Sequence, residues 1–158
     1  MAKRGKYVYE WPRPMVTVDA AVFAFFDDRP RLLLIQRKQE PFQGRWALPG
    51  GFVEIEEDLP EAAARELAEE TGLRDVPLEQ LGTFGKPGRD PRGRTITIVY
   101  FGIAEEGSEQ AKAADDASDV RWFDISHLPQ MAFDHDEIAR RAIERLRQTP
   151  TYRKHVQC

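Results

Sequence analysis

Three carboxylates stand close together in the stretch Gly51–Leu73, GFVEIEEDLPEAAARELAEETGL: Glu66, Glu69 and Glu70. The stretch reads as a helix over about residues 59–71. Asp58 suits the N-cap with Glu61 three residues on, Pro60 fits the first turn, and Gly72 suits the left-handed position past the end, followed by Leu73. At about 100° per residue from Leu59, the apolar Ala62, Ala63 and Leu67 fall near 300°, 40° and 80°, while Glu66 and Glu70 fall near 340° and 20°. Two like charges therefore sit inside the helix's only apolar stripe. Carboxylates four apart repel, and burying them unpaired is costly. The polar face lies elsewhere, around Glu61 and Arg65, so an ordinary solvated acidic face does not account for the pair. Something cationic must hold them, and a hard divalent metal suits oxygen ligands best.

Other residues around this helix could serve the same chemistry. Pro49-Gly50-Gly51 precedes it, and a glycine pair lets backbone approach a ligand and turns carbonyls toward a metal; taken alone, it also fits an ordinary turn. Arg65 can pair with Glu69 one turn on. The loop Lys86-Pro87-Gly88-Arg89-Asp90-Pro91-Arg92-Gly93-Arg94 holds three arginines among prolines and glycines. Such a set suits bidentate recognition of phosphate or carboxylate, and a surface turn with incidental arginines fits as well. On a strand-like path Arg92 and Arg94 would point one way and Arg89 the other. Arg37 ends a strand and either reaches a phosphate or lies in solvent. Among Phe42, Trp46 and Phe52, one could stack on a base, with core packing the competing fate; Phe52 is taken as the substrate-facing one. His135, between Asp134 and Asp136, reads either as a substrate or base contact or as a helix start capped by Asp134.

Gly51, Glu57 and the run Arg65-Glu66-Leu67-Ala68-Glu69-Glu70-Thr71-Gly72-Leu73 together resemble the complete signature of the Nudix hydrolases, with no departure at its defining positions. The resemblance implies an α/β/α sandwich around a mixed β-sheet, and a metal-dependent pyrophosphohydrolase of a nucleoside diphosphate linked to another group. It implies Mg2+, with Mn2+ able to substitute, held by Glu66, Glu69 and Glu70 with backbone help near Gly50 or Gly51. It pairs Arg65 with Glu57, both orienting the ligands rather than binding metal. The general base varies in the family; Glu69, Glu105, Glu106, Asp134 and Asp136 are the choices here, with Glu69 and Glu70 carried as catalytic. The 85–94 loop resembles the ADP-ribose pyrophosphatase branch, which splits ADP-ribose into AMP and ribose 5-phosphate. The competing readings are a nucleoside triphosphate sanitiser of the 8-oxo-dGTP type and a non-catalytic ADP-ribose-sensing domain. Sensors of that kind carry a winged helix afterwards, whereas 24 residues follow Asp134.

The elements that would position these groups come from the rest of the chain. The 158 residues, 41% hydrophobic and 32% charged, suit one soluble domain with a real core. We divide them into an N-terminal arm (1–14), a Nudix domain (15–150) and a C-terminal tail (151–158). Met15–Phe26 is apolar almost throughout and so reads as a central strand. Asp27–Pro30 is a turn and Arg31–Arg37 the hairpin partner. Leu78–Phe84, Thr95–Ala104 and Asp119–Phe123 are further strands. Ile125–Leu128 reads as a helical turn and His135–Gln148 as an amphipathic helix. Net charge is −4, which gives no footprint for non-specific nucleic-acid binding. The one cysteine suits a reducing cytoplasm, and no apolar run reaches membrane-spanning length. The arm could exchange with a second subunit in a homodimer.

Overall fold

The computed structural model describes residues 5–105, 107 and 117–156. Its elements run β1 (Met15–Phe26), β2 (Arg29–Arg37), β3 (Trp46–Ala47), β4 (Gly50–Phe52), α1 (Leu59–Thr71), β5 (Glu79–Phe84), β6 (Thr95–Ile103), β7 (Ala117–Asp124), α2 (His135–Arg147) and α3 (Pro150–Val156). One seven-stranded mixed sheet follows the order β3-β2-β1-β6-β5, with β4 on β1 and β7 on β2.

β1 is central because both of its faces are covered. Its even positions, Val18, Ala20, Val22 and Ala24, pack toward Ala62, Ala63 and Leu67 of α1. Ala21 and Phe23 face the other way, into a cluster with Ile138, Ala142 and Leu146 of α2. A strand buried on both sides carries apolar residues at every position rather than at alternate ones. The result is the α/β/α sandwich. Leu67 and Phe23 are both 2% exposed or less, and each contributes about 1.5–3 kcal/mol through burial.

The edges of β1 create the cleft. One edge pairs with β6 in parallel over nine positions, from Met15 with Thr95 to Phe23 with Ile103. The other edge is divided. Thr17–Asp19 pair with Phe52–Gly50 of β4, and Phe23–Phe26 pair with β2. β2 then departs to pair with β7 and β3. A pocket opens beside Asp19, between the two partners.

Most elements lie where the residue pattern puts them, and α1 has the expected ends. Asp58 is extended and its carboxylate accepts the Leu59 N–H, while Gly72 sits at φ 78°. Four differences have physical causes. Gly50–Phe52, read as a turn, is a three-residue strand, too short to leave a periodic signal. Ile125–Leu128 does not form a helical turn: Asp124 accepts the Ser126 N–H and hydroxyl and makes a tight turn instead. Asp134 does not cap α2 with its side chain, because an arginine takes it. The segment taken as a tail carries α3: Thr149 Oγ1 accepts the Tyr152 N–H, Tyr152 packs on the α2-side core, and the His155 ring stacks on Phe25 at 4.2 Å. Residues 1–4 of the arm, residues 106 and 108–116 before β7, and the last two residues lie outside the described residues. Among the described residues, no helix is long and apolar enough to cross a membrane.

Candidate active site

Helix α1 supplies the acidic side of the pocket. Arg65 is its organiser. Nε donates to Glu57 Oε2 at 2.8 Å and Nη2 to Glu57 Oε1 at 2.6 Å. Nη1 reaches Glu66 Oε1 at 2.8 Å and Glu69 Oε2 at 3.3 Å, and Nη2 reaches the Phe52 carbonyl at 3.2 Å. One guanidinium thus ties the loop before α1 to two carboxylates on it. The bidentate contact with Arg65 holds the Glu57 carboxyl down at about 2, and the Arg65 guanidinium is held above its ordinary value by the same contact.

Glu66 and Glu70 lie one turn apart on α1, close enough to act on each other's protonation. Burial pushes the Glu70 carboxyl up to about 9, against the Gly50 N–H that it accepts at 2.9 Å and with the Glu66 charge adding to the rise. Burial also raises Glu66, opposed by Arg65. Gly50 and Gly51 are glycines for want of space. A Cβ on Gly51 would lie 2.6 Å from Glu66 Oε1, and one on Gly50 would strike the Val18 carbonyl and the Asp19 carboxylate. Two crowded carboxylates that burial drives toward protonation, beside exposed backbone, fit a divalent cation of hard character. Glu69 stands apart: its side chain is 58% exposed and turned to Arg65. Among the described residues, no three acidic, histidine or cysteine side chains are already gathered as a metal set, so Glu66 and Glu70 are the two that the fold brings together.

The basic side comes from β2 and the 85–94 loop. Turns, not a strand, shape this loop: Gly88 lies at φ 84° and Gly93 at φ 154°. The strand-like orientation is therefore corrected. Arg89 and Arg92 line the pocket together with Arg37, while Arg94 Nη1 donates to the Gly85 carbonyl at the loop's base. Arg89 is 4% exposed and makes a two-point contact with Asp134, at 2.9 and 2.7 Å. Asp90, buried, accepts the Arg92 backbone N–H at 2.9 Å and grips its guanidinium at 2.8 Å. The Arg92 guanidinium also lies over Phe52 at 5.0 Å and Phe133 at 5.3 Å. Arg37 lies over Phe133 at 5.0 Å and donates to the Pro41 carbonyl at 2.7 Å. Burial, and then the charge of Arg92, hold Arg37 below its ordinary value. Two guanidiniums that destabilise each other in a half-closed pocket are suited to an anion.

Two pocket residues, Asp19 and Phe133, had no role assigned from the sequence, and a third, His135, read either as a substrate or base contact or as a helix start, begins α2 and lines the pocket. Asp19 is a single carboxylate in an otherwise apolar strand, and that oddity is the signal that could have found it. It accepts the Thr97 hydroxyl at 2.5 Å. His135 is buried, its Nδ1 accepts the Leu48 N–H at 3.0 Å, and Nε2 faces Asp19 Oδ1 at 3.8 Å. Burial holds the imidazole below its ordinary value, so it is neutral. Phe133 had no sequence signal at all. Of the aromatic candidates, Trp46 packs edge-on against Phe123 and Phe42 against Phe133. Among the base candidates, Asp134 is committed to Arg89, and Glu106 lies outside the described residues.

An acidic helix behind a glycine strand, opposed by arginines across the divided edge of a mixed sheet, makes a pocket whose chemistry suits a phosphorylated ligand and a cation. The NUDIX domain pattern matches residues 15–146, and the chain belongs to the Nudix hydrolase family. It is 45% identical over 125 residues to an ADP-ribose pyrophosphatase of Methanocaldococcus jannaschii, covering 79% of this chain and 70% of that protein. It is 35% identical over 147 residues to the ADPR responsive transcriptional repressor NtrR of Acinetobacter baylyi, covering 90% of this chain but 58% of the repressor. The fold superposes with TM-score 0.79 on the NUDIX domain of Shewanella oneidensis NrtR complexed with ADP ribose, at 36% identity, over 86% of this chain and 90% of that one. The family generally uses divalent metal ions.

Proposed function

We propose that this protein is a Mg2+-dependent pyrophosphohydrolase of ADP-ribose or a related nucleoside diphosphate sugar, releasing AMP and ribose 5-phosphate in the cytoplasm. The observation that carries the proposal is the convergence of Arg37 and Arg92 on the pocket that also holds Gly50, Gly51 and Glu70. That arrangement fits a diphosphate gripped by guanidiniums on one side and by a cation on the other. Glu66 and Glu70 would hold the cation, with backbone atoms near Gly50 and Gly51. When bound, it neutralises phosphate charge and lowers the pKa of a water.

The chain's own residues divide the remaining work. Arg37 and Arg92 bind the diphosphate oxygens through planar forks. Phe52 supports Arg92 from beneath. Arg65 and Glu57 hold Glu66 and Glu69 in place. Glu69, exposed and tethered only at 3.3 Å, is the carboxylate free to take the proton from the attacking water. Arg94 and Arg89 do not bind substrate in this reading, since one serves the loop's base and the other serves Asp134.

The relationship to an ADP-ribose-responsive repressor favours a second reading, in which the pocket binds ADP-ribose without cleaving it. One experiment separates the readings. Purified protein is incubated with ADP-ribose, 8-oxo-dGTP and other nucleotides, with Mg2+ or with chelator, and the products are identified; a DNA anisotropy titration runs alongside. The proposal expects AMP and ribose 5-phosphate with Mg2+, loss of turnover with chelator and no sequence-specific DNA binding. Release of pyrophosphate from a triphosphate as the dominant reaction would establish the sanitiser. Tight ADP-ribose binding without turnover would establish the sensor.

A further inference from the structure

Three consecutive residues at the start of α2 each grip a different part of the pocket. Phe133 offers its ring to the guanidiniums of both Arg37 and Arg92, at 5.0 and 5.3 Å. Asp134 takes the guanidinium of Arg89 by two hydrogen bonds. His135 takes the Leu48 N–H, two residues before Gly50. Consecutive side chains on a strand or helix do not converge in this way. They converge here because Phe133 adopts a left-handed backbone, φ 53°, which a bulky residue holds only when its surroundings over-determine it. The packing comes from two rings: Phe42 meets the Phe133 ring edge-on at 4.9 Å, and the His135 ring lies 5.4 Å from it.

We propose that Phe133, Asp134 and His135 are positioning residues: a strained turn that sets the placement of the pocket's arginines and of the backbone strand carrying Gly50. The proposal rests on the hydrolase reading for its kinetic consequences, but not for its structural ones. Each residue has a separable effect. Phe133 acts on the guanidiniums that meet the diphosphate, and Asp134 holds Arg89 in the wall of the same pocket, so their loss falls on KM. His135 acts on Leu48 and so on Gly50, whose N–H is bonded to Glu70; its loss falls on kcat. Because Nδ1 accepts a hydrogen bond, the ring carries its hydrogen on Nε2, toward Asp19. Asparagine places an acceptor oxygen about where Nδ1 stands, so His135→Asn preserves the Leu48 contact and His135→Leu does not.

The test uses the full chain. Phe133→Asn keeps the left-handed turn, which asparagine accepts, and removes the ring; KM for ADP-ribose should rise about tenfold with kcat nearly unchanged. Asp134→Asn should raise KM by a similar factor. His135→Leu should lower kcat by about a hundredfold, the scale of a small misplacement of catalytic groups, and His135→Asn should recover most of it. Hydrogen exchange of the Leu48 amide supplies a readout that needs no substrate: it should quicken in His135→Leu and slow again in His135→Asn. Wild-type KM and kcat in these variants, with lowered Tm alone, would overturn the proposal and leave the turn a folding element. If the wild type cleaves no ADP-ribose, the hydrolase reading fails, and unchanged Leu48 exchange in His135→Leu would then overturn the positioning role independently.

Discussion

On α1 the charged groups are spaced by the helix itself: Glu66 and Glu70 lie one turn apart, and Arg65 reaches Glu57, Glu66 and Glu69, none more than eight positions away. In the 85–94 loop, neighbouring arginines go to unrelated places. Arg89 pairs with Asp134, 45 positions on, Arg92 pairs with Asp90, and Arg94 turns back to Gly85. A regular helix converts spacing into geometry, so like charges can be held together by local chemistry. A turn-rich loop has no such rule: Arg92 and Arg94 are set by partners within it, and Arg89 by one brought in by the tertiary fold. The carboxylates of the acidic side are thus spaced by α1 and the loop before it, whereas the basic side sends one arginine, Arg89, to the start of α2.

The sharpest way to break the comparison is on the acidic side. Glu70→Gln removes a charge but keeps an acceptor for the Gly50 N–H, and kcat/KM for ADP-ribose should fall by about 4 kcal/mol in free-energy terms. Mg2+ should raise the Tm of the wild type, because it binds the folded state, and should do so far less in Glu70→Gln. Wild-type kinetics in the variant would mean the carboxylate pair holds no cation. Next in size, Arg65→Ala should cost about 3 kcal/mol in kcat/KM, since the mostly buried Glu57 and Glu66, and the exposed Glu69, lose one organiser. Lysine at 65 should recover little, for want of a planar fork. An Arg65→Ala protein with full turnover would show that the helix alone places Glu66. The smallest effects sharpen the contrast within the loop. Arg92→Ala should weaken substrate use by about 2 kcal/mol, the low end for a charge pair that stays partly wet, while Arg94→Ala should stay within about 0.5 kcal/mol. Equal losses in kcat/KM at the two positions would return the loop to a uniform anion grip.

The same contrast explains what could be read before the fold was known. β1 and α1 have the bounds that their residue pattern implies, because a doubly buried strand and a capped helix declare themselves locally. The Glu66–Glu70 pair was legible for that reason. Arg94 and Arg89 were not, because a turn-rich loop has no period from which to project direction. Asp134 looks like an N-cap on either side of the ledger of local signals, and only Arg89 decides otherwise. The Thr149-Pro150 pair was a legible helix start that the expectation of a tail passed over. Phe133 could not have been found, since nothing in its neighbours announces a left-handed phenylalanine.

The parallel pairing of β1 with β6 also sets an order of assembly. Met15 meets Thr95, 80 positions later, and joining such distant segments requires closing a long loop before any contact rewards it. Chains emerge from synthesis N-terminus first, so the β1–β2 hairpin and α1 are exposed to solvent well before the central strand gains its long neighbour. The segment from Phe133 to His135 arrives later still. A growing chain therefore carries a complete acidic helix for much of its synthesis while having only Arg37 of the basic side, without Arg92 and Phe133, to hold an anion against it. Ligand binding, and any protection that a bound nucleotide gives against unfolding or proteolysis, begins only when the chain has been made through His135.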